Sequence, residues 1–313
     1  MGTVFGKALP HCACGGGAVK RALAYALGST IVWGCLPLFW RALSELPPLY
    51  ILSSRILWAT LFSGVLILAT GRWPQVRALL RDKHSLFKSA AAGWMIAANW
   101  LLGIIAVNSG RTLDSTMGSF LNSLTCCLAA YLFFHEHPNR VQAVGIAVAG
   151  TGVLWMTVYY GQVPWIALFL AGTFGIYSTC KKALGLDALV ALFIEGAAVL
   201  PLCLPFVLIS EIRDTGALAL LPAVRLWLVP AIGIVTGLPL VLYAKSLQIL
   251  PLGLAGFLQY ITSLISFLIA LAVFHERFSA AYLAGYGFIW AALIIFSLGS
   301  LHRNSSGNAP SST

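Results

Sequence analysis

Charged residues are scarce in this 313-residue chain, and acidic residues are the scarcest, with nine Asp and Glu against 19 Lys and Arg. Charged residues make up 9% of the chain, hydrophobic residues make up 59%, and the mean hydropathy is +0.90. A soluble domain of this length needs far more polar surface, so the composition excludes one. The chain is therefore expected to have a lipid bilayer as its solvent.

Two further absences exclude whole classes of chemistry. The sequence has no glycine-rich loop followed by Lys, so we expect neither ATP nor another cofactor. It has no paired carboxylates, no nucleophile beside a base and no His cluster at helical spacing, so we expect no metal site and no enzyme active site. The net charge of +10 comes from Lys and Arg in short loops beside apolar segments, which does not indicate nucleic-acid binding.

Long apolar runs dominate the rest of the chain. Because lipid offers no hydrogen-bond partners, each run predicts a helix, which satisfies its own backbone. Runs bounded by charged or turn residues predict helices at 22–40, 50–70, 88–107, 115–134, 141–160, 164–180, 188–210, 227–248, 254–274 and 279–300. The predicted fold is an all-α integral membrane protein with ten transmembrane helices, a flexible tail at 1–21 and a disordered tail at 302–313.

One segment of the chain occurs twice. Residues 123–136 read SLTCCLAAYLFFHE, and residues 263–276, 140 positions later, read SLISFLIALAVFHE. Five predicted helices separate the copies, and an odd number of spans turns the second copy upside down in the membrane. The sequence therefore predicts two inverted five-helix repeats, residues 22–160 and 161–301, an arrangement with which many transporters form two alternately open faces.

The basic residues favour one orientation in the membrane. If the N-terminus is cytoplasmic, that side holds thirteen of the 19 Lys and Arg, the opposite side holds five, and Arg55 lies within a span. Both termini are therefore predicted to be cytoplasmic. On this topology Glu136 lies on the inner side and Glu276 on the outer side, and each is predicted to cap the helix that follows it.

Several motifs resemble one known family. They are IVWGCLPLFWRAL at 31–43, NWLL at 99–102, AVN at 106–108, GSFLN at 118–122, FLQYI at 257–261 and FIW at 288–290. Their order and spacing are similar to those of the RarD branch of the EamA permeases, in the drug/metabolite transporter superfamily. The resemblance implies a ten-helix inverted-repeat bundle around a central cavity, which carries small metabolites or drugs across a bacterial-type inner membrane.

The chain departs from that family at two pairs of positions. Ser123 and Ser263 stand where the family has Pro, and their presence removes two helix kinks that could act as hinges. His135 and His275 stand where Gly is usual. The gating geometry of the family is therefore not carried over to this chain.

Glu195 is the one acidic residue inside a predicted span. An ionised carboxylate is costly in hydrocarbon, so Glu195 is predicted to bind a proton or substrate in a cavity, with a structural salt bridge as the alternative. Arg55, 140 positions earlier in the matching helix, is the second charged candidate. It could pair with Glu195, or it could bind one charge of a zwitterionic substrate at the opposite mouth of the cavity. It could also snorkel to lipid headgroups.

Amide and aromatic side chains within the spans complete the predicted site. Asn99, Asn122 and Gln259 offer amide donors and acceptors, and Tyr260 and Trp100 offer aromatic faces for a flat or apolar cargo. Interhelical hydrogen bonding and helix packing are the alternative roles. Asn122 and Gln259 fall at near-equivalent points of the two copies, which favours the cavity wall for both.

Two prolines are the predicted gating elements. Pro201 and Pro205 lie shortly after Glu195 in the predicted helix 188–210. Each removes a backbone hydrogen bond and kinks its helix. We therefore expect this helix to move during function.

These features and the resemblance together predict a secondary transporter for a small-molecule substrate, which works by alternating access. Proton coupling through Glu195 and simple solute exchange are both open at this stage. A passive channel or scramblase is the first alternative, which the lack of rings of like charge disfavours, and a membrane enzyme is the second. The lipid-facing surface is compatible with a homodimer.

Overall fold

The computed structural model describes residues 16–108, 112–136, 138–160 and 165–273, together with the short stretches 284–285, 287–288, 290–292 and 294–296. Every regular element among these residues is a helix. The all-α prediction is therefore confirmed. Residues 1–15 and 302–313 of the predicted tails lie outside the described residues, whereas residues 16–21 belong to the first helix.

Twelve α-helices have defined bounds. In chain order they are α1 Gly16–Arg41, α2 Pro48–Ala69, α3 Trp73–Arg81, α4 Lys83–Asn108, α5 Thr112–Phe134, α6 Arg140–Tyr160, α7 Trp165–Leu184, α8 Ala188–Ile212, α9 Ala217–Leu220, α10 Leu228–Leu247, α11 Leu252–Leu258 and α12 Tyr260–Ala272. The short stretches between residues 284 and 296 are helical as well.

Seven helical stretches within the described residues are long and apolar enough to cross a membrane. They lie at residues 17–41, 48–69, 83–106, 140–159, 188–212, 223–247 and 252–269. Large apolar side chains are exposed on them, such as Leu68, Val158 and Ile212 at 68%, 78% and 81%. Such a surface suits contact with lipid chains rather than water. The chain is a multi-pass membrane protein.

Helices α2 and α8 run antiparallel and define two ends of the bundle. Tyr50, near the start of α2, donates a hydrogen bond to Glu211, near the end of α8, and Arg72 after α2 pairs with Asp187 before α8. We name these the Glu211 end and the Asp187 end. The 25 residues of α8 separate them by about 37 Å, enough to span a bilayer core.

Two local features differ from the sequence-based expectation. The loop after α2 contains the short helix α3, because Val76 and Leu79 bury one face of it while Arg77 and Arg81 stay exposed. The predicted helix 254–274 is interrupted at Gln259, whose N–H bonds the carbonyl of Gly256, three residues back, at 3.1 Å. Gln259 keeps helical backbone angles (φ −61°, ψ −20°), so the interruption is a local tightening of the helix and not a kink.

Candidate functional site

Helix α8 positions Glu195 deep in the bundle. Asp187, the residue before α8, accepts hydrogen bonds from the N–H groups of Leu189 (3.0 Å) and Val190 (3.3 Å) and also pairs with Arg72. This cap fixes where the helix begins. Glu195 follows eight residues later, which places it about 12 Å from the Asp187 end.

The Glu195 carboxylate has two partners, both on α7. Lys181 Nζ lies 3.0 Å from Oε1 and forms an ion pair whose angles do not meet those of a hydrogen bond. The Tyr177 hydroxyl donates a hydrogen bond to Oε2 at 3.1 Å. The Lys181 and Glu195 side chains are only 4% and 6% exposed. We name Glu195, Lys181 and Tyr177 the buried triad. It holds two opposite charges and a hydroxyl out of water, so it can store a proton or exchange one partner for a charged ligand.

Two small cavities meet at Glu195. One, of about 10 Å³, lies toward the Asp187 end between Lys181, Leu186 and Gln248. The other, of about 30 Å³, lies on the opposite side and is lined by Ile56 and Trp100. Each holds a water or two at most, whereas ligand pockets measure about 300–1,000 Å³. Glu195 is therefore closed to metabolites in this conformation.

Arg55 is buried in α2, with 9% of its surface exposed. Its guanidinium carbon lies 4.2 Å from the centre of the Trp100 ring and 4.8 Å from that of the Trp40 ring. Within the described part of the chain no carboxylate pairs with it, and its Nε has no hydrogen-bond partner. Arg55 thus does not pair with Glu195. Two indole rings enclose the Arg55 side chain inside the protein, so its surroundings differ from those of an arginine that extends to lipid headgroups.

A close helix contact sets the relative heights of these two charges. A Cβ atom at Gly196 would overlap the hydroxyl of Thr60, so Glu195 lies near the level of Thr60, five residues beyond Arg55. The two charges are therefore separated by roughly 8 Å along the bundle axis. Trp100 lies between them, since it contacts Arg55 and lines the cavity beside Glu195.

Glycine contacts also show which residue of α2 corresponds to Glu195. Gly93 and Gly233, 140 residues apart, each meet a backbone oxygen of the facing helix, that of Glu195 and that of Trp58 respectively. These two partners are 137 residues apart. The same offset separates Phe120 of the motif GSFLN from Phe257 of the motif FLQYI. On the predicted two-repeat arrangement, these contacts match Glu195 with Trp58, and Arg55 lies one turn away from the matching position.

Asn99 is engaged by the protein itself. Its Nδ2 donates to the carbonyl of Leu170 at 2.6 Å and to the Thr173 hydroxyl at 2.8 Å, both on α7. Both amide hydrogens are thus used to join α4 to α7. The geometry favours the interhelical role that was the alternative for this residue.

Three other predicted residues carry buried polar atoms that have no hydrogen-bond partner among the residues that the structure describes. They are Asn122 Oδ1, Gln259 Nε2 and the Tyr260 hydroxyl. Helix α5, which holds Asn122, packs against α11 and α12 on either side of the break at Gln259, and Tyr260 packs in the cluster that contains Leu121. An unpaired buried polar group costs about 1–3 kcal/mol, so this crossing offers polar atoms to a ligand.

The predicted gating prolines lie on the outer surface of α8. Pro201 and Pro205 are exposed, and the helix continues through both. They do not line the cavities beside Glu195. Any effect on gating must therefore act through the shape of α8.

Glu136 caps a helix other than the predicted one. Its carboxylate accepts from the N–H groups of Leu252 and Gly253, both at 3.0 Å, and pairs with Lys182 at 3.0 Å. It therefore caps α11, because His135, with φ +52°, ends α5 and turns the chain toward that helix. Helix α6 is capped instead by Asn139, which accepts from the Gln142 N–H at 2.7 Å. Glu276, the other predicted cap, lies outside the described residues.

Lys181 is the member of the buried triad that the sequence pattern did not single out. The predicted helix 164–180 ends one residue before Lys181, which places this residue among the cytoplasmic loop cations. The helix continues to Leu184, which puts Lys181 and Tyr177, four residues apart, on one face. That spacing was the available signal.

Comparison with known proteins gives a consistent result. The EamA-like transporter family matches residues 20–158. The chain is 35% identical over 282 residues to the uncharacterized transporter YojE of Bacillus subtilis, covering 88% of this chain and 93% of that protein. It is 32% identical over 282 residues to the protein RarD of Streptomyces exfoliatus, covering 90% of each.

A solved crystal structure shares the fold. It superposes with a TM-score of 0.66 at 15% sequence identity and covers 89% of this chain and 98% of the other. At that identity the likeness concerns architecture alone.

Proposed function

The chain belongs to the EamA-like transporter family, and on that premise we propose that it is a secondary transporter that moves small metabolites or drugs by alternating access. The names of its relatives describe transporters rather than enzymes. The observation that carries the mechanism is the buried triad, a charged group enclosed between two cavities that are too small for any cargo.

We propose ten transmembrane helices in two inverted five-helix repeats, residues 22–160 and 161–301. The helix contacts support this arrangement. The proposed repeats equate α1, α2, α4 and α5 with α7, α8, α10 and α11–α12, in that order. The contact between α4 and α8 then corresponds to the contact between α10 and α2. The contact between α5 and α7 likewise corresponds to the contact between α11–α12 and α1. The family match also ends at residue 158, near the end of the first repeat.

The Asp187 end is proposed to face the cytoplasm, in an inner membrane and with both termini on that side. The support is the distribution of charge. Arg72, Arg77, Arg81 and Lys182 lie at or beyond the helix ends on this side. The Glu211 end carries far fewer cations, as the positive-inside rule requires.

Glu195 is proposed as the proton-binding group. It lies in the middle part of the bundle and lines both cavities, so either side can deliver a proton to it after a small opening. Lys181 compensates its charge while it is deprotonated, and protonation would release Lys181 to another anion. The same carboxylate can thus respond to both sides of the membrane, which is what coupling needs.

Alternating access is supported by contacts that hold both ends closed. At the Asp187 end Glu136 joins the turn after α5 to α11 and to Lys182 on α7. At the Glu211 end Arg225 pairs with Glu45 at 2.8 Å. Because these contacts are few and partly exposed, either set can break without unfolding the bundle.

The crossing of α5 with α11 and α12 is proposed as part of the cargo path. Asn122, Gln259 and Tyr260 bring amide and hydroxyl groups there, and the break at Gln259 gives a point of bending. A 3₁₀-type turn in the middle of a helix often marks a functional hinge. Pro201 and Pro205 are proposed to let α8 bend at the other side of Glu195.

The test uses the full-length protein in proteoliposomes that contain a pH-sensitive dye. A panel of amino acids, amines, organic acids, nucleobases and aromatic drugs is added outside, and wild type is compared with Glu195→Gln. We expect one chemical class to trigger proton movement, and Glu195→Gln to abolish it. Arg77→Gln, at an exposed position on α3, serves as the control and should behave as wild type.

Two results would contradict the proposal at different levels. Labelled solute that exchanges equally well in wild type and Glu195→Gln, without proton movement, would make the protein a facilitator and return the triad to a structural role. Solute flux without saturation or exchange would instead indicate a passive channel.

A further inference from the structure

Arg55 is a buried cation that lacks the counter-charge found beside its buried neighbours. Lys181 has Glu195 and Lys182 has Glu136, each at 3.0 Å. Arg55 is enclosed to the same degree but has no carboxylate within the described residues. A guanidinium stays charged in proteins, so it cannot escape this situation by losing its proton.

The two indole rings that surround Arg55 stabilise it only in part. Trp100 and Trp40 approach the guanidinium carbon at 4.2 Å and 4.8 Å, close enough for cation–π attraction. Ring faces accept no in-plane hydrogen bonds, and Nε has no acceptor. Within the described part of the chain, the geometry therefore satisfies the faces of the guanidinium and leaves its Nε–H without an acceptor.

A planar carboxylate is the group that fits such an edge. It accepts two parallel hydrogen bonds from an arginine, and charge-assisted bonds of this kind are stronger than neutral ones. The two rings offer apolar surface on either side for the carbon skeleton of the same molecule. This combination selects a small anion with an apolar body.

The position of Arg55 places such a group inside a transport path. Arg55 lies seven residues into α2, and the contact of Gly196 with Thr60 places it roughly 8 Å from Glu195 along the bundle axis. Trp100 contacts Arg55 and lines the cavity that reaches Glu195. A cargo held at Arg55 would thus sit beside the proposed proton-binding group.

We infer that the cargo of this protein is a small organic carboxylate, bound by Arg55 between Trp40 and Trp100. The inference rests on the proposed transport function, whose substrate class it names. The same oxyanion chemistry could be supplied by a lipid headgroup, since the Glu211 end is near, and the experiment separates the two sources.

The experiment measures intrinsic tryptophan fluorescence of the full-length protein in nanodiscs made of phosphatidylcholine. Cyclohexanecarboxylate, its neutral amide and cyclohexylmethylamine are titrated as matched probes, because none absorbs at the excitation wavelength. Trp40 and Trp100 report on binding beside Arg55. We expect the carboxylate to bind about 10- to 100-fold more tightly than the amide, the range that one charge-assisted hydrogen-bonded contact gives.

Three variants sharpen the result. Arg55→Gln should abolish the preference for the carboxylate, and Arg55→Lys should retain part of it, because the charge remains while the planar fork is lost. Arg77→Gln on the exposed face of α3 removes a cation of the same type and should leave the titration unchanged. The wild-type comparison is decisive even if Arg55→Gln does not fold.

Several outcomes would overturn the inference. Equal affinity of wild type for carboxylate and amide would do so, as would a preference that survives in Arg55→Gln. If the carboxylate does not bind, and phosphatidylglycerol in the nanodisc changes the emission of wild type but not of Arg55→Gln, the anion is a lipid headgroup and not cargo.

The measurements distinguish a failure of the carboxylate inference from a failure of the transport proposal. Proteoliposomes that exchange neutral or cationic solutes, with no carboxylate preference, would contradict the cargo class and leave the transporter in place. Carboxylate binding that depends on Arg55, without flux of any solute, would leave the anion site in place and contradict transport.

Discussion

Glu195 and Arg55 are both charged and both buried, yet their surroundings differ. Glu195 has a cation and a hydroxyl within 3.1 Å, whereas Arg55 has two aromatic faces and no carboxylate among the described residues. A charge that the protein neutralises can be kept buried at all times. A buried charge that has no counter-ion in the protein, such as Arg55, suits the binding of a ligand of opposite charge.

If the chain consists of the two proposed inverted repeats, the difference also shows how the two copies have diverged. The contacts of Gly93 and Gly233 match Glu195 with Trp58, so the acidic position of the second copy is aromatic in the first. Arg55 lies one turn nearer the Glu211 end. In the proposed arrangement, each repeat would supply one charge, at a different height, to one interior.

The largest expected effect comes from breaking the pair at Glu195. Lys181→Met leaves a buried carboxylate without its cation, which should lower the free energy of unfolding by about 3–5 kcal/mol. The double variant Lys181→Met/Glu195→Gln removes both charges and should recover most of this loss. Denaturant titrations in detergent micelles measure both, with the exposed Lys83→Met as control. Equal losses in the single and double variants would contradict the pairing.

The second-largest effect is expected from a substitution that disturbs the surroundings of both Glu195 and Arg55. A methyl group at Gly93 would overlap the backbone oxygen of Glu195 and push α4, which carries Trp100, away from α8. Gly93→Ala should therefore destabilise the protein by about 1–3 kcal/mol and weaken carboxylate binding as well. Gly172→Ala is the matched control, because nothing lies within 4 Å of its new methyl group. Equal stability of the two variants would argue against the tight α4–α8 contact.

A smaller effect is expected at Arg55 alone. Trp100→Phe keeps an aromatic ring but weakens the cation–π contact, which is worth about 0.5–2 kcal/mol. We expect a loss at the lower end of that range and a reduced affinity for carboxylates, measured by calorimetry in nanodiscs. Trp94→Phe, at a half-exposed position six residues earlier on the same helix, should change neither.

The smallest effect on stability is expected at Pro201. It is exposed and outside the cavities, so Pro201→Ala should leave the free energy of unfolding within about 0.5 kcal/mol of wild type. It should slow transport more than it weakens substrate binding, because a straighter α8 moves Glu195 less readily. Stopped-flow proton uptake and equilibrium binding separate the two. Equal losses in both would indicate a packing defect.

The sequence predicted the helical, membrane-spanning fold because long apolar runs leave no other way to satisfy the backbone. It also singled out Glu195, since an acidic residue within an apolar run is conspicuous. It did not identify Lys181 as the partner, because that depends on one further turn of α7. The roles of Asn99 and Glu136 depend on contacts with residues 71 and 116 positions away, and no local pattern encodes them.

The most direct test measures proton and solute movement together in proteoliposomes that contain the Lys181→Met/Glu195→Gln double variant. This variant removes the buried pair without leaving an unpaired charge, so it isolates coupling from folding. We expect it to exchange labelled cyclohexanecarboxylate while moving no protons, whereas wild type moves both. Proton movement equal to that of wild type would contradict the central role of Glu195.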